Sequence, residues 1–242
     1  MVDFAGKRAL VTGAGKGIGR DTVRHLTAHG ATVVALSRSM EDLASLRQET
    51  GCDVVSADLE DLDPALASVA ALPACDLLVN NAGISLLGAA LDVDAATFET
   101  VMRVNALAPL RLAQLVARAA IAAARPAAIV NVSSVAAQQG LPDHAAYCAS
   151  KAALDALTRV LAVELGPHRI RVNSVNPTVT LTPMAARAWS DPAKSGPMLA
   201  RIPLGRFLEV GDVAGAIAFL LSDAAAMITG VCLQVDGGFS AS

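Results

Sequence analysis

Tyr147 and Lys151 stand four residues apart in Tyr147-Cys148-Ala149-Ser150-Lys151, within a stretch that reads as a helix. At that spacing the phenol and the ammonium share one helical face. A free phenol titrates near pH ~10, which makes it a poor proton shuttle at neutral pH. An ammonium about 4 Å away, at an effective dielectric of ~20, is worth ~4 kcal/mol to the phenolate. That is roughly three pKa units, enough to bring the phenol towards the range useful for acid–base work. Such pairs also occur on ordinary solvated helices, so this one takes its meaning from its surroundings.

The chain opens with such surroundings. An apolar strand over Lys7 to Thr12 runs into Gly13-Ala14-Gly15-Lys16-Gly17-Ile18-Gly19, and a helical stretch follows to about His29. A strand, a glycine turn and a helix start together make a phosphate cradle, because backbone N–H groups and the helix dipole face the anion. The next strand, Thr32 to Leu36, follows at the spacing of a βαβ unit, which points to a dinucleotide. A site for NAD carries Asp or Glu about twenty residues past the loop, at the end of the second strand, to accept from the ribose 2′-hydroxyl. Here that strand ends Ser37-Arg38, and Lys16 sits inside the loop. Two cations bordering the adenine ribose predict NADP(H), with Arg38 gripping the 2′-phosphate by a planar fork.

Composition sets the limits. The 242 residues suit one α/β domain, more than half of them apolar and few aromatic, so Ala, Val, Leu and Ile must build the core. A net charge of −3 argues against a nucleic-acid surface. No apolar run approaches the ~20 residues of a membrane span, and no leading segment reads as a secretory signal. Cys52, Cys75, Cys148 and Cys232 lack any zinc spacing and read as reduced thiols, so no metal is expected. A cytoplasmic location is the expectation.

Strands are expected near 7–12, 31–36, 52–56, 76–79, 127–133, 169–175 and 231–235. Helices are expected near 17–29, 41–49, 63–71, 95–124, 147–165 and 211–222. The strands are nearly continuous apolar runs, as in a parallel sheet covered on both faces. The fold class expected is therefore α/β, a single doubly wound, seven-stranded parallel sheet with helices on both faces. Pro and Gly cluster late in the chain, so residues 178–208 are read as a substrate-lid insertion, with a passive surface loop as the alternative.

The chain resembles the short-chain dehydrogenase/reductase family from end to end. The resemblance rests on Thr12-Gly13-x-x-x-Gly17-x-Gly19, Asp58, Asn80-Asn81-Ala82-Gly83, Asn105, Ser133-Ser134, Tyr147-x-x-x-Lys151 and Asn176-Pro177. More narrowly it is similar to the dicarbonyl and L-xylulose reductase branch, through Glu164-Leu165-Gly166-Pro167-His168, Asn176-Pro177-Thr178-Val179, Trp189-Ser190-Asp191-Pro192 and Arg201-Ile202-Pro203-Leu204-Gly205. Thr178 stands where most of the family has Gly, a departure shared with that branch.

The resemblance implies roles. Tyr147 would protonate a carbonyl oxygen as hydride reaches the carbon, Lys151 would lower the phenol pKa and hold the nicotinamide ribose, and Ser134 would bond the substrate oxygen. Ser134 is preferred to Ser133 because it precedes Tyr147 by thirteen residues, the family spacing. Asn105 would complete a relay to solvent through a water, and Pro109, lacking an N–H, would help expose its carbonyl. Asp58 would accept from the adenine amino group or cap the next helix, and Asn80 to Gly83 would mainly brace the sheet. The cofactor path implied runs through Gly13, Gly15, Lys16, Gly17, Ile18 and Gly19, then Ser37, Arg38, Asp58 and Leu59. It continues along Asn81, Ala82, Gly83, Tyr147 and Lys151 to Pro177, Thr178, Val179, Thr180 and Thr182. Ser134, His144, Tyr147, Trp189 and Met198 would shape the substrate pocket. A homotetramer paired through the two long helices and the last strand is also implied. Three functions are weighed: an NADPH-dependent reductase of small dicarbonyls and ketoses, a related alcohol, polyol or hydroxysteroid dehydrogenase, and a non-catalytic nucleotide sensor.

Overall fold

Seven parallel strands form one sheet in a computed structural model that describes residues 3–182, 185–186 and 189–241. The strands are β1 (Arg8–Thr12), β2 (Thr32–Ser37), β3 (Asp53–Ser56), β4 (Leu77–Asn80), β5 (Ala127–Val132), β6 (Ile170–Pro177) and β7 (Cys232–Val235). Their order across the sheet is β3-β2-β1-β4-β5-β6-β7. β1 therefore lies between β2 and β4, with Ala9 opposite both Val33 and Leu77. The chain winds outward to β3, then returns to begin again at β4. That reversal opens a crevice beyond the carboxyl ends of β1 and β4, where ligands of such sheets sit.

Successive residues along each strand serve opposite faces, which accounts for the unbroken apolar runs. Val33 and Ala35 join Ala9, Val11, Leu77 and Val79 on one face, against α1 (Gly17–Ala28) and the late helix Val210–Leu221. Val34 and Leu36 join Leu10, Leu78 and Ile129 on the other, against α3 (Leu62–Ala70) and α5 (Ala108–Ala122). Each fully buried Leu or Ile contributes roughly 1.5–3 kcal/mol, so the sheet is held from both sides. The remaining long helices are α2 (Met40–Thr50), α4 (Ala95–Met102) and α6 (Ala145–Leu165).

The helix expected over 95–124 runs from Ala95 to Ala122 but is widened once along its length. α4 passes into a π turn, Arg103–Leu107, before α5 resumes with Pro109 in its first turn. The cause is local: an α-helix would ask Pro109 to donate to the Asn105 carbonyl, and proline has no N–H. The insertion at 178–208 is more ordered than an irregular loop. α7 (Pro192–Leu199) starts at Asp191, whose side chain accepts from the Ala193 N–H, with Pro192 opening the helix. A third apolar cluster of Val135, Ile202, Phe207 and Phe239 lies with this segment. Residues 183–184 and 187–188 of the insertion lie outside the described residues. The late helix Val210–Leu221 is α8.

Candidate active site

The glycine loop leaves β1 and enters α1 at Lys16, whose extended backbone (φ −145°, ψ 168°) makes it the N-cap. No side chain caps this helix, and its first turn holds no acid, so its leading N–H groups face outward for an anion. Gly13 has φ +64°, and a Cβ there would lie 2.8 Å from both the Ala82 Cα and the Asn81 Nδ2. At Gly19 a Cβ would come within 2.4 Å of the Gly13 carbonyl oxygen. Only glycine lets strand, turn and helix approach this closely. The end of β4 braces the turn: Asn81 Nδ2 donates to the carbonyls of Thr12 (2.9 Å) and Gly13 (3.1 Å). Thr12 Oγ1 accepts from the N–H groups of Asn81 and Ala82 in return. Asn80 ties β4 to β5 through Asn131 (2.8 Å) and to the Pro109 carbonyl. Asn80 thus braces the sheet from within.

Beyond the ends of β1 to β4 a pocket of about 140 Å³ is lined by Gly13, Ser37, Arg38, Asp58, Leu59, Ala82 and Gly83, together with Ile84 and Val104. Seven of the residues expected along the dinucleotide meet there. The two cations are not free. Arg38 lies 3.8 Å from Asp58, and Lys16 Nζ lies 3.2 Å from Asp42. Asp42, in the first turn of α2, escaped the sequence reading because it follows the strand end by five residues. Asp58 Oδ1 also accepts from the Glu60 N–H. It closes a local turn and does not cap α3, whose N-cap is Asp61.

The path continues across the carboxyl end of β6. Pro177 ends that strand, and Thr178 is buried with a hydroxyl that has no partner among the described residues. The Val179 carbonyl accepts from the Leu208 N–H, Thr180 Oγ1 donates to the Thr178 carbonyl, and Thr182 reaches over Gly17. Ile18 sits in the first turn of α1, half-buried against the core. An uncapped helix start, a turn that glycines alone can make and an orphaned buried hydroxyl fit the dinucleotide that the motifs imply.

The residues expected to carry the chemistry meet where β5, the π turn and α6 come together. Ser134 follows β5, and its hydroxyl accepts from the Ala136 N–H at 3.1 Å and also engages the Tyr147 side chain. Ser133 turns the other way and donates to the Lys151 carbonyl at 3.3 Å. Lys151 is 4% exposed, its Nζ donating to the Val132 carbonyl at 2.8 Å and standing 5.6 Å from the centre of the Tyr147 ring. Asn105 is fully buried: its side-chain amide donates to the Ile84 carbonyl and to Ser150 Oγ, while its oxygen accepts from the Ile84 N–H. A Cβ on Gly83 would lie 3.3 Å from Asn105 Oδ1 and 3.4 Å from Lys151 Nζ, so these three converge on one point.

The electrostatics correct one expectation. Burial raises the Tyr147 phenol above its ordinary value, opposed by the Ser134 hydroxyl. Burial also lowers Lys151 from 10.5 to about 8, opposed by the charge on Asp155. Desolvation of both partners, invisible in a four-residue spacing, outweighs the pairwise attraction. Lys151 is still mostly an ammonium at neutral pH, and Tyr147 holds its proton there.

Of the residues expected to shape a substrate pocket, His144 places its ring edge-on to Tyr147, with centroids 6.1 Å apart. Trp189 stacks at a tilt on Phe207 (5.5 Å), and both Trp189 and Met198 pack on the cluster that contains Val135, the neighbour of Ser134. Cys148 Sγ contacts the Gln139 carbonyl. Among the described residues no His, Cys, Asp and Glu cluster could hold a metal, and no helix is long and apolar enough to cross a membrane.

A family model described as enoyl-(acyl carrier protein) reductase matches residues 13–240. The L-xylulose reductase of Bos taurus is 53% identical over 240 residues, covering 99% of this chain and 98% of that protein. The D-erythrulose reductase of Gallus gallus is likewise 53% identical, covering 100% and 98%. Among solved structures, a protein assigned as an NAD(P)-dependent gluconate 5-dehydrogenase of Beutenbergia cavernae, with NADP bound at low occupancy, superposes with a TM-score of 0.94. It is 36% identical and covers 100% of this chain and 99% of its own.

Proposed function

The chain belongs to the short-chain dehydrogenase/reductase family, and on that premise we propose that it is an NADPH-dependent carbonyl reductase of small dicarbonyls and ketoses. The observation that carries this reading is the convergence of Ser134, Tyr147 and Lys151 beside an intact dinucleotide cradle, in a chain that matches sugar-ketone reductases from end to end. When bound, NADPH supplies the hydride. Tyr147, protonated at neutral pH, donates its proton to the substrate oxygen as negative charge grows there. The Ser134 hydroxyl bonds the same oxygen and offsets that charge. Lys151 then stabilises the phenolate from within the protein, and Asn105, held by Ile84 and Ser150 beside the Lys151 ammonium, completes the proton relay to solvent through a water. Ser134 with Tyr147 forms the acid-and-donor pair, while His144, Trp189 and Met198 form the wall that admits small polar ketones.

Arg38 and Lys16 support NADP(H) over NAD(H), since the end of β2 carries no acid at the ribose. Asp42 tempers the charge of Lys16, which leaves Arg38 as the stronger determinant. The whole chain acts as one domain with residues 178–208 as its lid, and four copies assemble. An apolar groove lined by Met102, Ala106, Leu110, Leu157 and Val160, between the α4–α5 segment and α6, supports pairing through those helices. A polyol or hydroxysteroid dehydrogenase is the competing reading. Following NADPH oxidation at 340 nm with diacetyl, L-xylulose and a steroid ketone separates the two. The small carbonyls should win in kcat/KM, and a wide margin for the steroid would overturn the assignment.

A further inference from the structure

One buried acid is unused by this account. Asp155 sits one helical turn beyond Lys151 on α6 and is 3% exposed. A charge so deeply buried is costly unless other groups hold it. Its two oxygens both face β6: Oδ1 accepts from Ser174 Oγ at 3.0 Å, and Oδ2 accepts from Asn176 Nδ2 at 2.7 Å. Asn176, itself fully buried, also donates to the Ser134 carbonyl at 3.1 Å. Asp155 forms no ion pair with Lys151, whose ammonium donates to Val132. We propose that Asp155 is a positioning residue of the same site, the buried countercharge to Lys151 one helical turn away, held in place by Ser174 and Asn176 and tied through Asn176 to Ser134.

The surroundings leave Asp155 as the one group suited to this task. On its own helix Lys151 has Tyr147 one turn before it and Asp155 one turn after, and only the second is a carboxylic acid. β5 presents the Val132 carbonyl and the two serines, and the π turn presents the amide of Asn105. β6 presents Ser174 and Asn176 to the acid, and β7 adds the Cys232 thiol, which burial raises and which Arg159 reaches at 3.5 Å. None of these replaces a carboxylate. Burial alone pulls the lysine towards the neutral amine, and the Asp155 charge opposes that pull.

The inference rests on the reductase reading for its catalytic meaning, so its first test avoids turnover. In the protein labelled with [15N]lysine, the Lys151 signal is assigned by its loss in Lys151→Met and titrated by NMR. Asp155→Asn is nearly isosteric and can keep the network, with Ser174 donating to Asn176 and accepting from the new amide. This variant should lower the Lys151 titration midpoint by about one pH unit. Asp155→Glu, which restores the charge, should leave the midpoint near wild type. The smaller Asp155→Ser is titrated alongside, so that one poorly folded variant does not end the test. With substrate and NADPH, the alkaline limb of the reduction profile should move down by the same amount in Asp155→Asn. An unchanged midpoint in the neutral variants, or equal changes in the Glu and Asn variants, would overturn the role of Asp155. Absence of NADPH-dependent reduction by the wild type, with the midpoint still displaced, would instead overturn the reductase reading alone.

Discussion

Replacing Lys151 by Met tests whether the ammonium is held in the fold at a cost. Burial lowers its pKa from 10.5 to about 8, while the unfolded chain keeps the ordinary value. Between these two values the unfolded state binds more protons, so folding stability contributed by this group rises with pH. Below pH 8 the full cost is present. A difference of about 2.5 units at 1.36 kcal/mol each gives about 3 kcal/mol, most of it recovered by pH 10. Other buried groups titrate in this window, Cys75 among them with its thiol pushed up to about 11, so the useful quantity is a difference between two proteins. Urea unfolding of wild type and Lys151→Met at pH 7, 8, 9 and 10 supplies it. Wild type should gain about 2–3 kcal/mol relative to the variant across that range. Parallel curves would refute a buried, proton-binding Lys151. The kinetic counterpart has the opposite sign for reduction: the ammonium fraction falls from about nine-tenths at pH 7 to about one-tenth at pH 9, and kcat should fall with it.

Arg38→Asp should weaken NADPH by about tenfold while sparing NADH, as read by fluorescence titration. The estimate stays at the low end because the Arg38 side chain is 66% exposed and already faces Asp58. Gly19→Ala should destabilise by about 1–3 kcal/mol and cut cofactor affinity, because its Cβ would press into the Gly13 carbonyl. A calorimetric melt within a degree of wild type would contradict that packing argument.

Much of the fold could be read in advance because strand periodicity and turn residues are local signals. Seven apolar runs separated by helical stretches became seven parallel strands, and Asp61 and Asp191 lie at helix starts that sequence can flag. The π turn at Arg103–Leu107 was half visible: Pro109 announced a disturbance, but a widened turn and a helix end look alike in sequence. Ser133 and Ser134 could be ordered only by family spacing, whereas in space one grips the Lys151 backbone and the other meets Tyr147. Burial was the quantity least legible. It raises the Tyr147 phenol where spacing suggested a fall, and it makes a structural partner of Asp155, whose only sequence mark was its place four residues after Lys151. Asp42 lay hidden for a related reason, since α2 folds it back over the glycine loop.

The central claim is that Tyr147 gives the proton that completes reduction of a small ketone by NADPH. The most direct measurement is single-turnover oxidation of NADPH with diacetyl by wild type and Tyr147→Phe, with NADPH binding measured separately by fluorescence. The account predicts near-equal NADPH affinity and a turnover at least about a hundredfold lower in the phenylalanine variant. Turnover close to wild type would contradict it.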